Sequence, residues 1–336
     1  MKRILYFLIL SLFVSCNKEK INLPPLLENI LPSKSGMPFN LVSSENRFPY
    51  KIKRFCQLQN TDTLNILEFD KNKNLIFKYY KQYVSKYWPD EFIYMIELNI
   101  YDNNKLVKTY YLHSNTEYEL FTYHYNDENL TEMKSFQIGH IKSNNDNPYY
   151  FIKKIKDYKA CLKFVNKIEN DHKKRLTYTI SRKFSNNEVI ESFNSELEDG
   201  TYKHYILDDN KYLKRIEYYA KGIKWDTNTK YFKYDSSNNL KKTYSLNKNR
   251  DTLKSTEYKN KNSNKIVIKK EMNFEISRKE FLNNTLVKYN YQGVDSSYYG
   301  VENYLLDKFG IPVKIIKKTR ERDTTYNLKN YYEFYK

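Results

Sequence analysis

The segment KYFKYDSSNNLKKTY, from Lys230 to Tyr244, is one copy of a sequence motif that recurs along most of the chain. In each copy an anchor residue precedes a polar run rich in Asp, Asn, Ser and Lys, and a short apolar and basic segment follows. Successive anchors lie 23 to 32 residues apart, apart from one interval of 59 residues. A short, regular period predicts a repeat architecture. The anchors are Phe69, Tyr101, Tyr125, Phe184, Leu207, Tyr234, Tyr258, Phe281 and Leu306.

Each unit has the length and pattern of one β-hairpin. Asp and Asn side chains bond their own backbone and tolerate left-handed conformations, so the polar runs are turns. The flanking runs alternate: Phe92, Tyr94 and Ile96 would share one face of a strand. Single hairpins are marginal in water, but neighbouring copies share ladders and bury one face. We therefore predict an all-β fold for residues 50–336, an extended antiparallel meander sheet of repeated hairpins, curved or single-layer in parts.

The long interval, residues 126–183, allows two interpretations. Ile155, Tyr158, Leu162 and Val165 follow helical spacing, which predicts an inserted helix, but Glu169 breaks that apolar pattern. Polar runs at 144–147 and 170–173 are typical of two more turns. We expect degenerate repeats here rather than a helix.

A resemblance to known repeats follows from these motifs. The segment from Phe232 to Leu240 resembles the YD (RHS-type) repeat, and YYAKGIKWDTNTKYFKYDSSNNLKK is similar to the hairpins of MORN-like repeats. The resemblance covers the chain from about residue 65 onward, although Asn or Lys replaces the usual turn Gly nearly throughout. It implies long antiparallel sheets used as shells or binding surfaces, and it supplies no catalytic residues.

The first 49 residues predict where in the cell the protein is located. Residues 1–15 have a basic start and an apolar run too short to span a membrane, as in a signal peptide. Together with Cys16 the segment resembles a bacterial lipoprotein signal, which implies acylation of Cys16; an ordinary signal with an incidental Cys is the alternative. Residues 16–49 hold five of the eight prolines and are expected to form an extended tether. By the same resemblance, Asn17 favours the outer membrane, on its periplasmic face or at the cell surface.

Composition argues for a folded protein without a nucleic-acid partner. The formal charge is +18, but basic and acidic residues are interspersed, and the wealth of Lys, Asn, Tyr and Ile is typical of an A- and T-rich genome. The 35 Tyr and 19 Phe exclude a disordered chain. Lys interrupts both faces of the strand-like runs, which argues against a membrane-spanning sheet.

Chemical motifs are sparse. The sequence has no recognised nucleophile, phosphate or zinc motif, and its five histidines are scattered, so we expect no catalytic residue, cofactor or metal. Cys56 and Cys161 would lie in a compartment that permits a disulfide, although each suits a small buried side chain equally well. Trp88 and Trp225 could stack on a sugar but in a sheet protein are more often core residues.

Three hypotheses for function remain. The first is a non-enzymatic, lipid-anchored envelope protein that presents a Tyr-rich sheet as a binding or display surface for a protein or glycan. The second is an immunity protein against a delivered toxin, a role in which MORN-like hairpin proteins occur. The third is a glycan-processing hydrolase, which requires carboxylates or His to converge in one pocket.

Overall fold

The structure is a computed structural model that describes residues 52–85, 88–113, 117–127, 129–140, 152, 154–195, 200–225, 229–247, 249–261, 264–272, 274–282, 285–292, 299–309, 311–320 and 323–335. The predicted signal peptide (1–15), Cys16 and the tether (16–49) lie outside the described residues, as does the domain boundary at residue 50. Within the described residues, no helix is both long and apolar enough to cross a membrane.

The described chain is built almost entirely from strands, with one helix of more than three turns. The strands are β1 (Ile52–Gln59), β2 (Asp62–Phe69), β3 (Leu75–Ser85), β4 (Trp88–Asp102), β5 (Lys105–His113), β6 (Glu117–Asn126), β7 (Asn129–His140), β8 (Lys174–Phe184), β9 (Glu188–Ser195), β10 (Thr201–Leu207), β11 (Leu213–Ala220), β12 (Ile223–Lys224), β13 (Lys230–Tyr234), β14 (Leu240–Leu246), β15 (Thr252–Lys261), β16 (Asn264–Glu271), β17 (Phe274–Leu282), β18 (Thr285–Gln292), β19 (Tyr299–Leu306), β20 (Pro312–Thr319) and β21 (Asp323–Phe334). The helix α1 spans Tyr158–Asp171.

Consecutive strands pair antiparallel around the whole sheet, and β12 and β13 both pair with β11. The predicted all-β meander of hairpins is confirmed. The sheet is also closed, which was not predicted: β21 pairs with β1, with Phe334 opposite Ile52 and Leu328 opposite Gln59. Closure pairs the first and last strands and leaves neither as an open edge.

The polar run of the repeat forms a specific turn. At Asp235, one carboxylate oxygen accepts hydrogen bonds from the backbone N–H groups of Ser237 and Asn239, both at 2.9 Å. The backbone N–H of Asp235 donates to the carbonyl of Asn239 at 2.9 Å, and Asn238 adopts φ of 61°. Asn tolerates this left-handed conformation, so a turn Gly is not required. The same two hydrogen bonds link the first and the fifth residue in other turns: the backbone N–H of the first donates to the carbonyl of the fifth, and the N–H of the fifth donates to the side chain of the first. These turns begin at Asp70, Asp208, Asn247 and Asp307.

The anchor of the repeat marks a β-bulge. In seven of the nine units the strand register shifts immediately before the anchor, as between Lys233 and Tyr234. A bulge bends the strand and increases its twist. A bulge repeated in most units therefore gives a physical reason for a sheet that curves far enough to close. The other six shifts precede Phe69, Tyr101, Tyr125, Leu207, Phe281 and Leu306.

The interval 126–183 contains a helix, so the favoured prediction of degenerate repeats was wrong there, although β7 and β8 flank it. The side chain of Asp157 caps α1 by accepting from the N–H of Ala160 at 2.8 Å. The buried stripe is Cys161, Val165 and Ile168, which has helical spacing. The apolar stripe considered in the sequence ran through Leu162 and Glu169, one residue away from the buried face, and therefore appeared to break.

Helix α1 makes the first part of the sheet two-layered. Its buried stripe packs on a large apolar cluster of β2 to β7, including Tyr79, Ile96 and Leu120. The second part is thin. Among the described residues between 223 and 292, few side chains are buried, and they are Thr229, Thr243, Ser255, Ile268 and Ser277.

Candidate binding surfaces

Cross-strand register divides the closed sheet into two faces. Gln57 lies opposite Asn65 and Asn330 on what we term face A, and Cys56 lies opposite Ile66 and Tyr331 on face B. Paired residues point the same way and successive residues alternate, so the register assigns strand residues to one face or the other. Most buried polar side chains lie on face A: Gln57, Asn65, Asn99, Thr109, Ser135, Arg182, Glu191, Thr243, Ser277 and Glu302.

Many tyrosines are core residues rather than surface groups. Tyr79 and Tyr205 are fully buried, and most of the buried tyrosines belong to the two-layered part of the sheet. The surface available for binding is therefore narrower than the Tyr content suggests and lies mainly in the second part of the sheet. The buried set is Tyr79, Tyr80, Tyr94, Tyr110, Tyr111, Tyr118, Tyr123, Tyr205 and Tyr304.

Two stacked tyrosine pairs stand on face B of β10 to β14. The rings of Tyr202 and Tyr219 are 4.4 Å apart and nearly parallel at 7°. The rings of Tyr231 and Tyr244 are 5.2 Å apart at 18°. Each pair joins directly opposed residues of neighbouring strands, and all four rings are half-buried. These four residues are termed the tyrosine row.

Glu217 organises the charges beneath the row. One oxygen of this buried carboxylate lies 2.9 Å from Arg215 Nε and 2.7 Å from Lys224 Nζ, and the other accepts from the Tyr219 hydroxyl at 2.9 Å. Burial alone would raise the pKa of Glu217, but the hydrogen bonds from Lys224 and Tyr219 outweigh it and hold the pKa below its usual value. Desolvation and the bond to Glu217 raise the pKa of Tyr219 to about 12. The ring of Tyr219 is thus held in place by a satisfied charge cluster.

His204 extends this cluster. Its Nδ1 lies 3.8 Å from Glu217, and its Nε2 lies 3.1 Å from a carboxylate oxygen of Glu188 without hydrogen-bond geometry. Within the described part of the chain, no group of three or more His, Cys, Asp or Glu side chains is arranged to hold a metal ion.

A groove of about 510 Å³ crosses β11 and β13 to β17. Most of its lining residues lie on face A, where Thr243, Thr256 and Lys269 form one cross-strand row. Its lining contains four lysines, four hydroxyl residues, two tyrosines and two aliphatic residues, and it contains no carboxylate; we term it the lysine groove. The lining residues are Lys230, Lys254, Lys269, Lys270, Thr243, Ser245, Ser255, Thr256, Tyr218, Tyr244, Leu253 and Ile276.

Two of the four lysines lie near carboxylates that do not line the groove. Lys254 lies 3.4 Å from Glu271, and Lys270 lies 3.0 Å from Glu257. Neighbouring Lys279 is affected as well, because burial and the charge of Lys269 both lower its pKa. The groove is therefore electropositive.

Trp225 is a surface residue, so its assignment to the core was wrong. Its side chain is 52% exposed, and its backbone N–H donates to the backbone carbonyl of Tyr218 at 2.8 Å. Because Lys224 is opposite Tyr219 in the register, Trp225 lies opposite Tyr218 and on face A, next to the lysine groove. The side chain of Trp88 lies outside the described residues.

The other buried carboxylates belong to ion pairs within the sheet. Glu191 contacts Arg182 at 2.8 Å and Lys203 at 3.3 Å. Glu302 accepts from the Tyr304 hydroxyl at 2.5 Å. Each of these carboxylates has a structural partner, and the hydrolase and immunity hypotheses stay predictions.

Cys56 and Cys161 are free thiols in this structure. Cys161 is fully buried in the cluster under α1, and half-buried Cys56 packs against the same cluster. Burial raises the pKa of both thiols. The disulfide that the sequence allowed is absent from the structure and stays an untested prediction.

Sequence reasoning missed the Glu217 cluster and the lysine groove. Their members come from several strands, and no single repeat contains enough of them to indicate a site. The signal that would have revealed the groove is the hairpin register, which sets Thr243, Thr256 and Lys269 side by side once successive repeats are paired.

No family model and no curated protein matches the chain. A porin-like protein from Bacteroides uniformis is 11% identical with a TM-score of 0.36, over 84% of this chain and 98% of the other. The TcdB2–TccC3 crystal structure is 10% identical with a TM-score of 0.32, over 82% of this chain and 16% of the other. A Photorhabdus luminescens Tc holotoxin pore is also 10% identical, with a TM-score of 0.33, over 82% of this chain and 15% of the other. This chain thus spans a small part of the toxin chains, and likenesses this low do not identify its function.

Proposed function

We propose that this protein is a non-enzymatic, lipid-anchored envelope protein whose Tyr-rich sheet is a binding surface for a protein or glycan. The single observation that carries the binding role is the tyrosine row on face B. Tyr offers an apolar face with a polar tip, and two rigid ring pairs give contact area with little loss of conformational freedom on binding.

The position of the rings supports this role. Tyr219 is fixed by Glu217, and the Lys233 and Lys242 ammonium groups lie 5.3 Å and 5.8 Å from the centre of the Tyr244 ring. Rings held in place before the ligand arrives lower the entropic cost of binding. Face B therefore presents flat apolar rings with charged groups around them. Protein interfaces commonly combine aromatic residues at the centre with polar residues at the rim.

The proposed location, anchored to the outer membrane through Cys16, rests on the sequence. Two or three acyl chains on Cys16 would hold the protein on a membrane essentially permanently, at about 0.8 kcal/mol per buried methylene. An extended tether over residues 16–49 would let the sheet reach about 100 Å from the bilayer at about 3.1 Å per residue. The binding surface would then face ligands of the envelope rather than the lipid.

The experiment separates anchoring from binding. Full-length tagged protein is cross-linked in cells and recovered from the envelope fraction, alongside Cys16→Ser, Tyr202→Ala/Tyr219→Ala and a control, Tyr299→Ala/Tyr331→Ala, at exposed tyrosines outside the row. We expect Cys16→Ser to lose its acyl mass and its membrane association. We expect the row variant alone to lose the cross-linked protein or glycan. Recovery of lipid and nothing else by the unaltered protein would refute the binding role.

A further inference from the structure

The lysine groove has the chemistry of a second binding site. Most of its lining lies on face A, opposite the face of the tyrosine row, and Tyr244 contributes to both. Lys254 and Lys269 are both exposed, and Lys269 lies directly across from Thr256. Among the described residues no ion pair to Lys269 occurs, and no carboxylate lines the groove. A ligand that brings negative charge would meet the unpaired ammonium group of Lys269 beside exposed Lys254 in a concave site, where electrostatic attraction is stronger than on a flat surface.

The uncharged lining defines the ligand further. Hydroxyl side chains lie among the lysines on face A. Ser245 is directly across from both Lys230 and Lys254, and buried Thr243 precedes it by two residues. Tyr218 lines the groove, and the backbone of exposed Trp225 pairs directly with that of Tyr218. Hydroxyl groups pair with sugar hydroxyls, and flat aromatic rings cover the apolar face of a sugar ring.

We propose that the lysine groove binds an acidic polysaccharide, with Lys254 and Lys269 contacting its carboxylate or sulfate groups and Trp225 stacking on a sugar ring. This inference rests on the proposed function, because an envelope location supplies such polymers. Arginine forks and several stacking rings within the groove would favour a nucleic acid, but the cations that line this groove are all lysines. The groove continues along the row from Thr243 through Thr256 to Lys269, so an extended chain can follow it across neighbouring strands.

The test uses the purified full-length protein in detergent and measures affinity for polygalacturonate, with uncharged dextran and a single-stranded oligonucleotide as comparison probes. Lys254→Gln/Lys269→Gln is expected to weaken polygalacturonate binding about tenfold, because it removes two exposed cations that would pair with the polymer. Trp225→Ala is expected to weaken it several-fold without changing its salt dependence.

The matched control is Lys183→Gln/Lys329→Gln, which removes the same net charge at two exposed lysines on β8 and β21. It should leave the affinity within twofold of the unaltered protein. Equal losses in the two lysine pairs would show attraction to net charge alone and overturn the proposal. Equal affinity for dextran, or tighter binding of the oligonucleotide, would also overturn it.

The outcomes separate this inference from the proposed function. If Cys16 is not acylated or the protein is found away from the envelope, while purified protein still binds polygalacturonate through the groove, the proposed location fails and the groove assignment stands. If the protein is anchored and the tyrosine row binds its ligand, while the groove variants behave like the control, the groove assignment fails alone.

Discussion

Removal of the Asp307 side chain should make the closed sheet open first at the turn between β19 and β20 and at β21. Its carboxylate accepts from the N–H groups of Phe309 at 2.9 Å and Ile311 at 3.0 Å. It also accepts from Asn330 Nδ2 at 2.9 Å and from the Tyr332 hydroxyl, and both of these belong to β21. Asp307 thus ties the turn between β19 and β20 to the strand that closes the sheet on β1.

Asp307→Ala removes four hydrogen bonds at a half-buried site. At a net contribution of about 1 kcal/mol each, the local stability should fall by about 3 to 4 kcal/mol. The matched control is Asp208→Ala, because Asp208 makes the same turn with only two backbone bonds, from Asn210 at 3.0 Å and Tyr212 at 2.8 Å. That variant should lose about 1 to 2 kcal/mol.

Amide hydrogen exchange measures both losses locally. The opening free energy of β20 and β21 should fall in Asp307→Ala by about 2 kcal/mol more than that of β11 falls in Asp208→Ala. A difference of this size corresponds to exchange about 30-fold faster. Equal changes in the two variants, or unchanged exchange in β21, would refute the argument that Asp307 holds the closing strand.

Three further predictions concern packing, charge and thiols. A Cβ at Gly300 would lie 2.3 Å from Tyr291 Cζ, so Gly300→Ala should lower the free energy of unfolding in urea by about 1 to 3 kcal/mol. Adding Tyr291→Ala should remove that clash, so the double variant should lose less stability than the sum of the two single variants. Strictly additive losses would contradict the clash. Because the pKa of Glu217 is lowered in the folded state, its stabilisation is full above its unfolded value of about 4.3 and is lost as pH falls through the folded pKa. Glu217→Gln should therefore lower stability at pH 7 and remove this part of the acid dependence in circular dichroism melts, whereas parallel pH curves would contradict the ion cluster. In the native protein, iodoacetamide should modify Cys56 faster than Cys161, because Cys161 is fully buried and its thiol has a raised pKa. If iodoacetamide modifies neither cysteine even after the protein is unfolded without reductant, the two cysteines form a disulfide.

The local structure was predictable where chemistry acts over a few residues. Asp235 and Asn238 specify a turn because their side chains and left-handed tolerance act within five positions. Alternation along β4 predicted which residues share a face, and Tyr94, Ile96 and Leu98 do share one buried cluster. These features needed no knowledge of distant parts of the chain.

Closure and the two binding surfaces depend on distant parts of the chain. The anchor residues mark the bulges, as at Tyr234, but the effect of a bulge on curvature accumulates only over many strands. Helix α1 was missed because Leu162 and Glu169 were placed in the stripe instead of Cys161 and Ile168. The lysine groove draws on six strands, so its charge cannot be recognised before their register is known.

The pairing of the first strand with the last is the central claim, and one cross-link tests it most directly. Cys56 of β1 lies opposite Tyr331 of β21 on face B, whereas Asn330 lies on face A. Neighbouring strands place opposed residues at a separation that a disulfide can span. We expect Tyr331→Cys to form a disulfide with Cys56 on mild oxidation, detected as a linked peptide pair by non-reducing mass spectrometry, and Asn330→Cys not to form one. No linked peptide from Tyr331→Cys, or equal linkage in the two variants, would contradict the closed sheet.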